Sequence, residues 1–114
     1  MKIRDLIKVV EGKLVSGAAY LEKEVSRGFA SDLMSDVLTL DSDSVVLITG
    51  LSNTQALRTA EMSDISCVVI ARNKKTTPEM IQLAEDADLV MIECSSSVFK
   101  TVGMLYEAGL KAVY

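Results

Sequence analysis

The sequence predicts a three-layer α/β/α domain built around a mainly parallel sheet of four or five strands. One observation is a set of continuous apolar runs, typical of strands covered on both faces, at residues 45–48, 68–70 and 89–92. A second is that a helical pattern follows each run, over residues 54–62, 78–87 and 98–108. A third is that the strand starts, with a last short run at 112–114, recur every 21 to 23 residues. This spacing fits one β-α-β series with right-handed crossovers, and we expect residues 1–114 to form a single domain.

The first 40 residues predict four further elements. These are a helix over residues 3–10, short strands within 13–17 and 24–30, and a helix over 32–40. Apolar residues of the first helix recur at i, i+3, i+4 and i+7, which places them on one face. For the last helix, Ser31 is a suitable N-cap, and Asp32 in the first turn suits the positive end of the helix dipole.

Polar residues stand at the three later helix starts, beyond the carboxyl ends of predicted strands. Ser52 and Gln55 have the spacing of a capping box. Thr77 precedes a proline at the first helical position, and residues 95–97 are three serines. Open α/β sheets usually bind ligands at this edge, and helix N-termini bind anions through backbone N–H groups.

This pattern predicts a site for a small anionic ligand, such as a nucleotide or phosphometabolite. The candidate contacts at these helix starts and on the loop between them are Ser52, Asn53, Thr54, Arg72, Ser96 and Ser97. The alternative interpretation is that the polar side chains only cap their helices and that Arg72 is simply solvated.

Composition argues against several classes of function. The chain has no histidine, so the usual general base, the catalytic triads and the commonest zinc ligand are missing. The four aspartates between residues 32 and 43 do not have the spacing of a calcium loop. We expect no catalysis, no metal and no cofactor. The remaining enzymatic alternative uses a carboxylate or Cys94, whose thiolate the next helix start could stabilise.

Charge and apolar pattern also limit the expected partners and location. A net charge of −4 disfavours nucleic acid and anionic membranes as partners. No apolar run is long enough to span a membrane, and charged residues interrupt any signal peptide near the N-terminus. Two cysteines are too few for a disulfide scaffold. We therefore expect a cytoplasmic protein.

Residues 21–37 resemble the signature of the DRTGG domain family, a segment of the type L-x-R-x-V-x-G-G-Y/F-x-S-D-L-L-S-D-V. The family's following strand, which begins I-T, resembles residues 48–53, and its S-A-F and L-Y-x-x-G-I/L patterns resemble residues 97–99 and 105–110. The resemblance implies a regulatory, ligand-sensing or dimerising α/β domain, similar in fold to the N-terminal domain of HPr kinase/phosphorylase. Such domains also occur within some phosphotransacetylases and CBS-domain pyrophosphatases.

The chain departs from the family pattern at three positions. Arg27 stands where the first of two glycines is usual, and Lys23 where an arginine is common. Ser52 stands where many members have histidine, so no role of that imidazole is carried over. A P-loop kinase is excluded, because a P-loop needs G-x-x-x-x-G-K-S/T and Leu14 follows the only Gly-Lys pair.

The most specific part of the resemblance adds Gly28, Ser31 and Asp32 to the candidate ligand contacts. The alternative for these three residues is an ordinary strand-to-helix turn. Our hypothesis is a non-catalytic regulatory module that forms a homodimer and senses a small anionic ligand. The alternative function is a dimerisation or adaptor domain that binds a protein partner without a small ligand.

Overall fold

The computed structural model describes residues 1–114 and contains a six-stranded sheet between two layers of helices. In chain order the elements are α1 (Ile3–Val9), β1 (Lys13–Ser16), β2 (Arg27–Ala30), α2 (Met34–Val37), β3 (Val45–Thr49), α3 (Thr54–Met62), β4 (Cys67–Ile70), α4 (Pro78–Asp86), β5 (Val90–Glu93), α5 (Val98–Glu107) and β6 (Lys111–Ala112). The predicted three-layer α/β/α class is confirmed. The sheet has six strands instead of four or five, because the short strands β1 and β6 pair at its two edges. None of the helices is both long and apolar enough to cross a membrane.

Most of the sheet is parallel, as expected. Its strand order is β1-β5-β4-β3-β2-β6, and only β1 and β5 pair in antiparallel fashion. Strands β3, β4 and β5 lie in the middle, and every residue in them is buried. Burial on both faces explains why these strands read as continuous apolar runs and not as alternating ones.

The sheet separates two apolar layers. Helices α1 and α5 cover one face, where Leu6 and Leu105 belong to one buried cluster. Helices α2, α3 and α4 cover the other face, where Leu57 and Met80 belong to a second. Each cluster contains 14 buried residues, so both faces of the sheet have a core of similar size.

The two helical layers diverge at the carboxyl ends of β4 and β5. The chain leaves β4 towards α4 on one face and leaves β5 towards α5 on the other. The crossover from β5 to β6 then passes back over β4, β3 and β2. In open α/β sheets a ligand crevice lies where the connections of neighbouring strands diverge in this way. The topology therefore favours a binding site beyond the ends of β4 and β5.

The predicted start of α2 is wrong. The helix begins at Met34 and ends at Val37, and the residue before it, Leu33, provides no capping side chain. Ser31 Oγ accepts a hydrogen bond from the Leu33 N–H at 2.9 Å. A local side-chain bond of this kind competes with helix formation, so the chain makes a turn over Ser31 and Asp32 before the helix begins.

The predicted capping box of α3 is also wrong, whereas the two later caps are confirmed. Asn53 caps α3 by accepting from the Ala56 N–H at 2.9 Å, so the cap lies one residue later than expected. Ser52 Oγ instead donates to the Lys75 carbonyl at 2.6 Å. Thr77 and Ser97 cap α4 and α5, each accepting an N–H at 3.1 Å.

Candidate functional site

Three loops meet at the carboxyl edge of the sheet and carry most of the predicted contacts. The Arg72 N–H donates to the Ser96 carbonyl at 2.7 Å, and Ser52 Oγ donates to the Lys75 carbonyl. The loop after β4 is therefore hydrogen-bonded to the loops that precede α3 and α5. The residues that the structure brings to this edge are Ser52, Asn53, Thr54, Arg72, Ser96 and Ser97.

The loop after β4 turns sharply at two consecutive residues. Arg72 and Asn73 have φ angles of 68° and 57°, a left-handed conformation that side chains with a Cβ adopt only at a cost. The Arg72–Ser96 bond and a 3.1 Å bond from the Asn73 N–H to the Cys94 carbonyl hold the turn. Strained backbone of this kind is concentrated at functional sites. The two left-handed residues therefore support including this loop in the candidate site.

Gly50 allows the Arg72 side chain to lie close to the end of β3. A Cβ on Gly50 would stand 2.5 Å from Arg72 Cδ and 3.3 Å from Asp32 Oδ2, so no larger residue fits without moving its neighbours. Arg72 is exposed and forms no ion pair. Its guanidinium is therefore available to a ligand.

Asp32 has a structural role that the sequence did not predict. Its Oδ1 accepts from Thr49 Oγ1 at 2.9 Å and from the Gly50 N–H at 2.7 Å. These bonds attach the turn after β2 to the end of the neighbouring strand β3. The carboxylate therefore lies beside the candidate site, but its Oδ1 is already engaged.

The starts of α3 and α5 leave backbone donors unpaired at this edge. The cap of each helix takes the N–H of Ala56 or Lys100. No protein acceptor bonds the N–H groups of the two preceding positions, residues 54–55 in α3 and 98–99 in α5. Unpaired first-turn amides are normal at helix starts, and they are also the groups that bind anions.

Gly28 and Ser31 lie apart from the polar loops. Gly28 sits within β2, where a Cβ would meet Leu110 Cδ2 at 2.9 Å, and it lines an apolar groove of about 80 Å³ between β2, β6 and α5. Ser31 follows β2, and its Oγ is occupied in the turn before α2. The structure therefore explains the glycine by close packing of the Leu110 side chain.

Glu93 is the main polar residue of this region that was not among the predicted contacts. The side chain is 10% exposed, and its Oε2 accepts from the N–H and the Oγ1 of Thr76 at 2.8 and 2.7 Å. Burial acts to raise the pKa of Glu93, but the Thr76 bonds and the charges of Lys75 and Lys13 outweigh it, so the pKa lies below 4.5. The sequence signal was a glutamate that ends an otherwise apolar strand.

A polar cleft of about 160 Å³ lies beside Glu93. It is bounded by the turn between α1 and β1, the loop after β4 and the end of β5. The lining residues are Glu11, Gly12, Lys13, Asn73, Lys74, Lys75, Glu93, Cys94 and Ser95. Three lysines against two glutamates give the cleft a local excess of positive charge in a chain whose net charge is −4.

The two cysteines belong to the core. Cys94 is 2% exposed, and its Sγ lies 3.4 Å from the Val10 carbonyl and 3.4 Å from Thr101 Oγ1. Burial raises the pKa of Cys67 to about 12, which makes that thiol inert at neutral pH. No three His, Cys, Asp or Glu side chains are grouped so that they could hold a metal ion.

Comparison with known proteins agrees with this fold. The chain is similar to the crystal structure of the CBS and DRTGG domains of the regulatory region of Clostridium perfringens pyrophosphatase, complexed with the activator diadenosine tetraphosphate. The TM-score is 0.80 at 10% sequence identity. The match covers 98% of this chain and 48% of the other, so this chain spans about half the length of that regulatory region. No curated protein matches the sequence.

The family comparison is more specific than the likeness in fold. Residues 5–108 match the DRTGG domain, and this range includes the segment 21–37 that carries the resemblance in sequence. Because the match covers nearly all of the chain, from α1 to the end of α5, it does not rest on that segment alone. The chain belongs to the DRTGG domain family.

Proposed function

We propose that the chain is a non-catalytic regulatory module that senses a small anionic ligand, such as a nucleotide or phosphometabolite, at the carboxyl edge of its sheet. The observation that carries this proposal is an exposed, unpaired Arg72 guanidinium beside two helix starts with unpaired amides. Family membership, and a similar structure that is a regulatory region complexed with a nucleotide activator, support a regulatory role.

The charges at this edge complement an anion. Each helix start carries roughly half a positive charge, and Arg72 adds a full one. The nearest carboxylate, Asp32, is engaged by Thr49 and Gly50, so its charge is partly offset. An anion held between Arg72 and the starts of α3 and α5 would contact the predicted polar residues of both helix starts, with Ser97 at the start of α5.

Buried thiols and the absence of histidine support a role without catalysis. The thiol nucleophile of the enzymatic alternative, Cys94, lies in the core beside Thr101. We expect Cys94 to be alkylated in the native protein far more slowly than a cysteine in a model peptide. Both cysteines are free, which a reducing compartment preserves, and this supports the expected cytoplasmic location.

Thermal denaturation with adenosine diphosphate and inorganic phosphate tests the ligand site. We expect a concentration-dependent rise in melting temperature, because a ligand that binds only the folded state stabilises it. Ser97→Asp should abolish this rise, since the new carboxylate keeps the helix cap but repels an anion. Ser97→Asn is the matched control, because asparagine also caps and adds no charge. If a panel of nucleotides and phosphometabolites leaves the melting temperature unchanged, the proposal is refuted.

The exposed face of α5 supports the homodimer in our hypothesis. Phe99 and Tyr106 are 89% and 69% exposed, although aromatic residues are only 4% of the chain. Both lie on the outer face of the helix with Gly103, beside which a Cβ would meet no atom within 4 Å. Exposed aromatic residues around a small residue are typical of a surface that another protein covers.

The same face is complementary to a second copy of itself. If two α5 helices cross antiparallel at Gly103, the end of one helix that carries Phe99 and Lys100 meets the end of the other that carries Tyr106 and Glu107. Aromatic rings then face aromatic rings, and lysine faces glutamate. A two-fold axis requires this kind of self-complementary surface.

Sedimentation experiments test this interface. Phe99→Asp should give a monomer, whereas Met62→Asp, on another exposed apolar residue, in the opposite helical layer, should leave a dimer. Lys100→Glu alone should weaken the dimer, and adding Glu107→Lys should restore it. A wild-type monomer at all concentrations would refute the homodimer. A dimer that no anion stabilises would favour the alternative, an adaptor domain for a protein partner.

A further inference from the structure

We propose that the polar cleft beside Glu93 binds a phosphate ester that carries vicinal hydroxyl groups, as a sugar phosphate or the ribose phosphate of a nucleotide does. The lysines of the cleft bind the phosphate, and Glu93 accepts hydrogen bonds from the hydroxyls. This inference rests on the proposed ligand-sensing function and assigns that function a place and a class of ligand.

The position of the cleft is the first argument. It lies outside the carboxyl ends of β4 and β5, lined by Glu93 and Ser95 on one side and residues 73–75 on the other. The connections from these two strands leave to opposite faces of the sheet, and this is the point at which open α/β sheets bind ligands. The antiparallel strand β1 adds Lys13 as the third wall.

The two oxygens of the Glu93 carboxylate are unequal. Oε2 accepts both hydrogen bonds from Thr76. Oε1 accepts none, and its nearest charged partner is Lys75 Nζ at 3.9 Å. No buried side-chain oxygen of the chain lacks a hydrogen-bond partner, so Oε1 reaches the surface of the cleft that Glu93 lines. Oε1 is therefore an acceptor that Thr76 fixes in place for a donor within the cleft, and vicinal hydroxyls are donors of the right kind.

The charge and the volume of the cleft limit the class of ligand that it can bind. Lys13, Lys74 and Lys75 outnumber Glu11 and Glu93, so the cleft attracts an anion but rejects a cation. Its volume of about 160 Å³ is below the roughly 300–1,000 Å³ of sites that enclose drug-sized molecules. The cleft therefore encloses one phosphorylated sugar unit, and any base or second phosphate of a nucleotide extends along the loop towards Arg72.

Calorimetric titration of the full chain with ribose 5-phosphate, adenosine monophosphate, ribose and inorganic phosphate tests the assignment. We expect both phosphate esters to bind more tightly than inorganic phosphate, and ribose not to bind. Glu93→Gln keeps an acceptor for Thr76 but presents an NH₂ group to the cleft, so it should weaken the esters at least tenfold, a loss of about 1.4 kcal/mol. It should not weaken inorganic phosphate, because it removes a negative charge from the cleft. Lys74→Ala should weaken all three anions, and Lys111→Ala, an exposed residue on β6 at the edge of the sheet opposite β1, should change none.

The outcomes separate this inference from the proposed function. Tight binding of the esters by Glu93→Gln, with loss in Ser97→Asp, would overturn the cleft and leave the proposed function standing. Equal affinity of wild-type protein for esters and inorganic phosphate would also overturn the hydroxyl contact. If no phosphate compound binds, both fall. Should Glu93→Gln fail to fold, Lys13→Ala, at the exposed first residue of the edge strand β1, replaces it. We then expect tenfold weaker ester binding, and unchanged binding would contradict the inference.

Discussion

The most informative change within the fold is Asp32→Ala, which removes the link between the turn after β2 and the end of β3. Two hydrogen bonds are lost, from the buried Thr49 hydroxyl at 2.9 Å and from the Gly50 N–H at 2.7 Å. Hydrogen bonds to a charged group contribute about 1.5–3 kcal/mol each. Asp32 itself is exposed, so water partly replaces it after truncation. We therefore expect a loss of about 2 kcal/mol, close to the value of one bond.

Urea denaturation followed by circular dichroism measures this loss. A change of about 2 kcal/mol corresponds to a fall of roughly 8 °C in melting temperature for a domain of this size. Asp32→Asn is the matched control. Both bonds end on the same oxygen, Oδ1, which asparagine retains, so we expect this variant to lose less than about 1 kcal/mol. An Asp32→Ala variant within about 0.5 kcal/mol of wild type, the usual range of surface substitutions, would refute the reasoning.

Three further predictions follow from the buried groups. The folded chain holds the pKa of Glu93 below its ordinary 4.5, so the unfolded chain binds more protons in acid. Glu93 should therefore add stability at neutral pH that is lost as the pH falls from above 4.5 through the folded pKa. Glu93→Gln should flatten this part of the plot of unfolding free energy against pH. An unchanged plot would contradict the account. Cys67, with its pKa near 12, should react with a thiol reagent only at the rate of global unfolding; a faster reaction would show that the core opens locally. Gly17→Ala should cost at least about 3 kcal/mol, because φ is 87° and the new Cβ would stand 2.8 Å from Val90 Cα. Gly109→Ala, with φ of 108° and open space around it, should lower the unfolding free energy by only about 1–2 kcal/mol. Equal losses in the two variants would rule out a contribution from the clash with Val90.

The central strands of the sheet could be predicted from sequence because their burial determines the residue types within each strand. A strand covered on both faces needs apolar residues at every position, so β3, β4 and β5 are visible as runs. Helices α3, α4 and α5 follow from their periodicity, and Thr77 and Ser97 from short-range capping chemistry. The last strand, expected at residues 112–114, is present as β6 at Lys111–Ala112, because so short a run does not define its ends.

The polar contacts of the site could not be predicted, because they join residues far apart in sequence. Asp32 bonds Gly50, 18 residues away, and Thr76 bonds Glu93, 17 residues away. Within its own segment Asp32 reads as a first-turn acid, and only the pairing of β2 with β3 gives it another partner. Ser52 was predicted to cap α3 for the same reason, since its true acceptor, the Lys75 carbonyl, lies in the next loop.

The central claim is that a small anion binds at the carboxyl edge of the sheet. Amide chemical shifts measured during titration with adenosine monophosphate test it most directly. We predict saturable changes confined to residues 11–13, 50–55, 71–76 and 93–99, and their loss in Ser97→Asp but not in Ser97→Asn. Shifts on the opposite edge of the sheet, around Gly17 and Ile65, or no shifts at all, would contradict the claim.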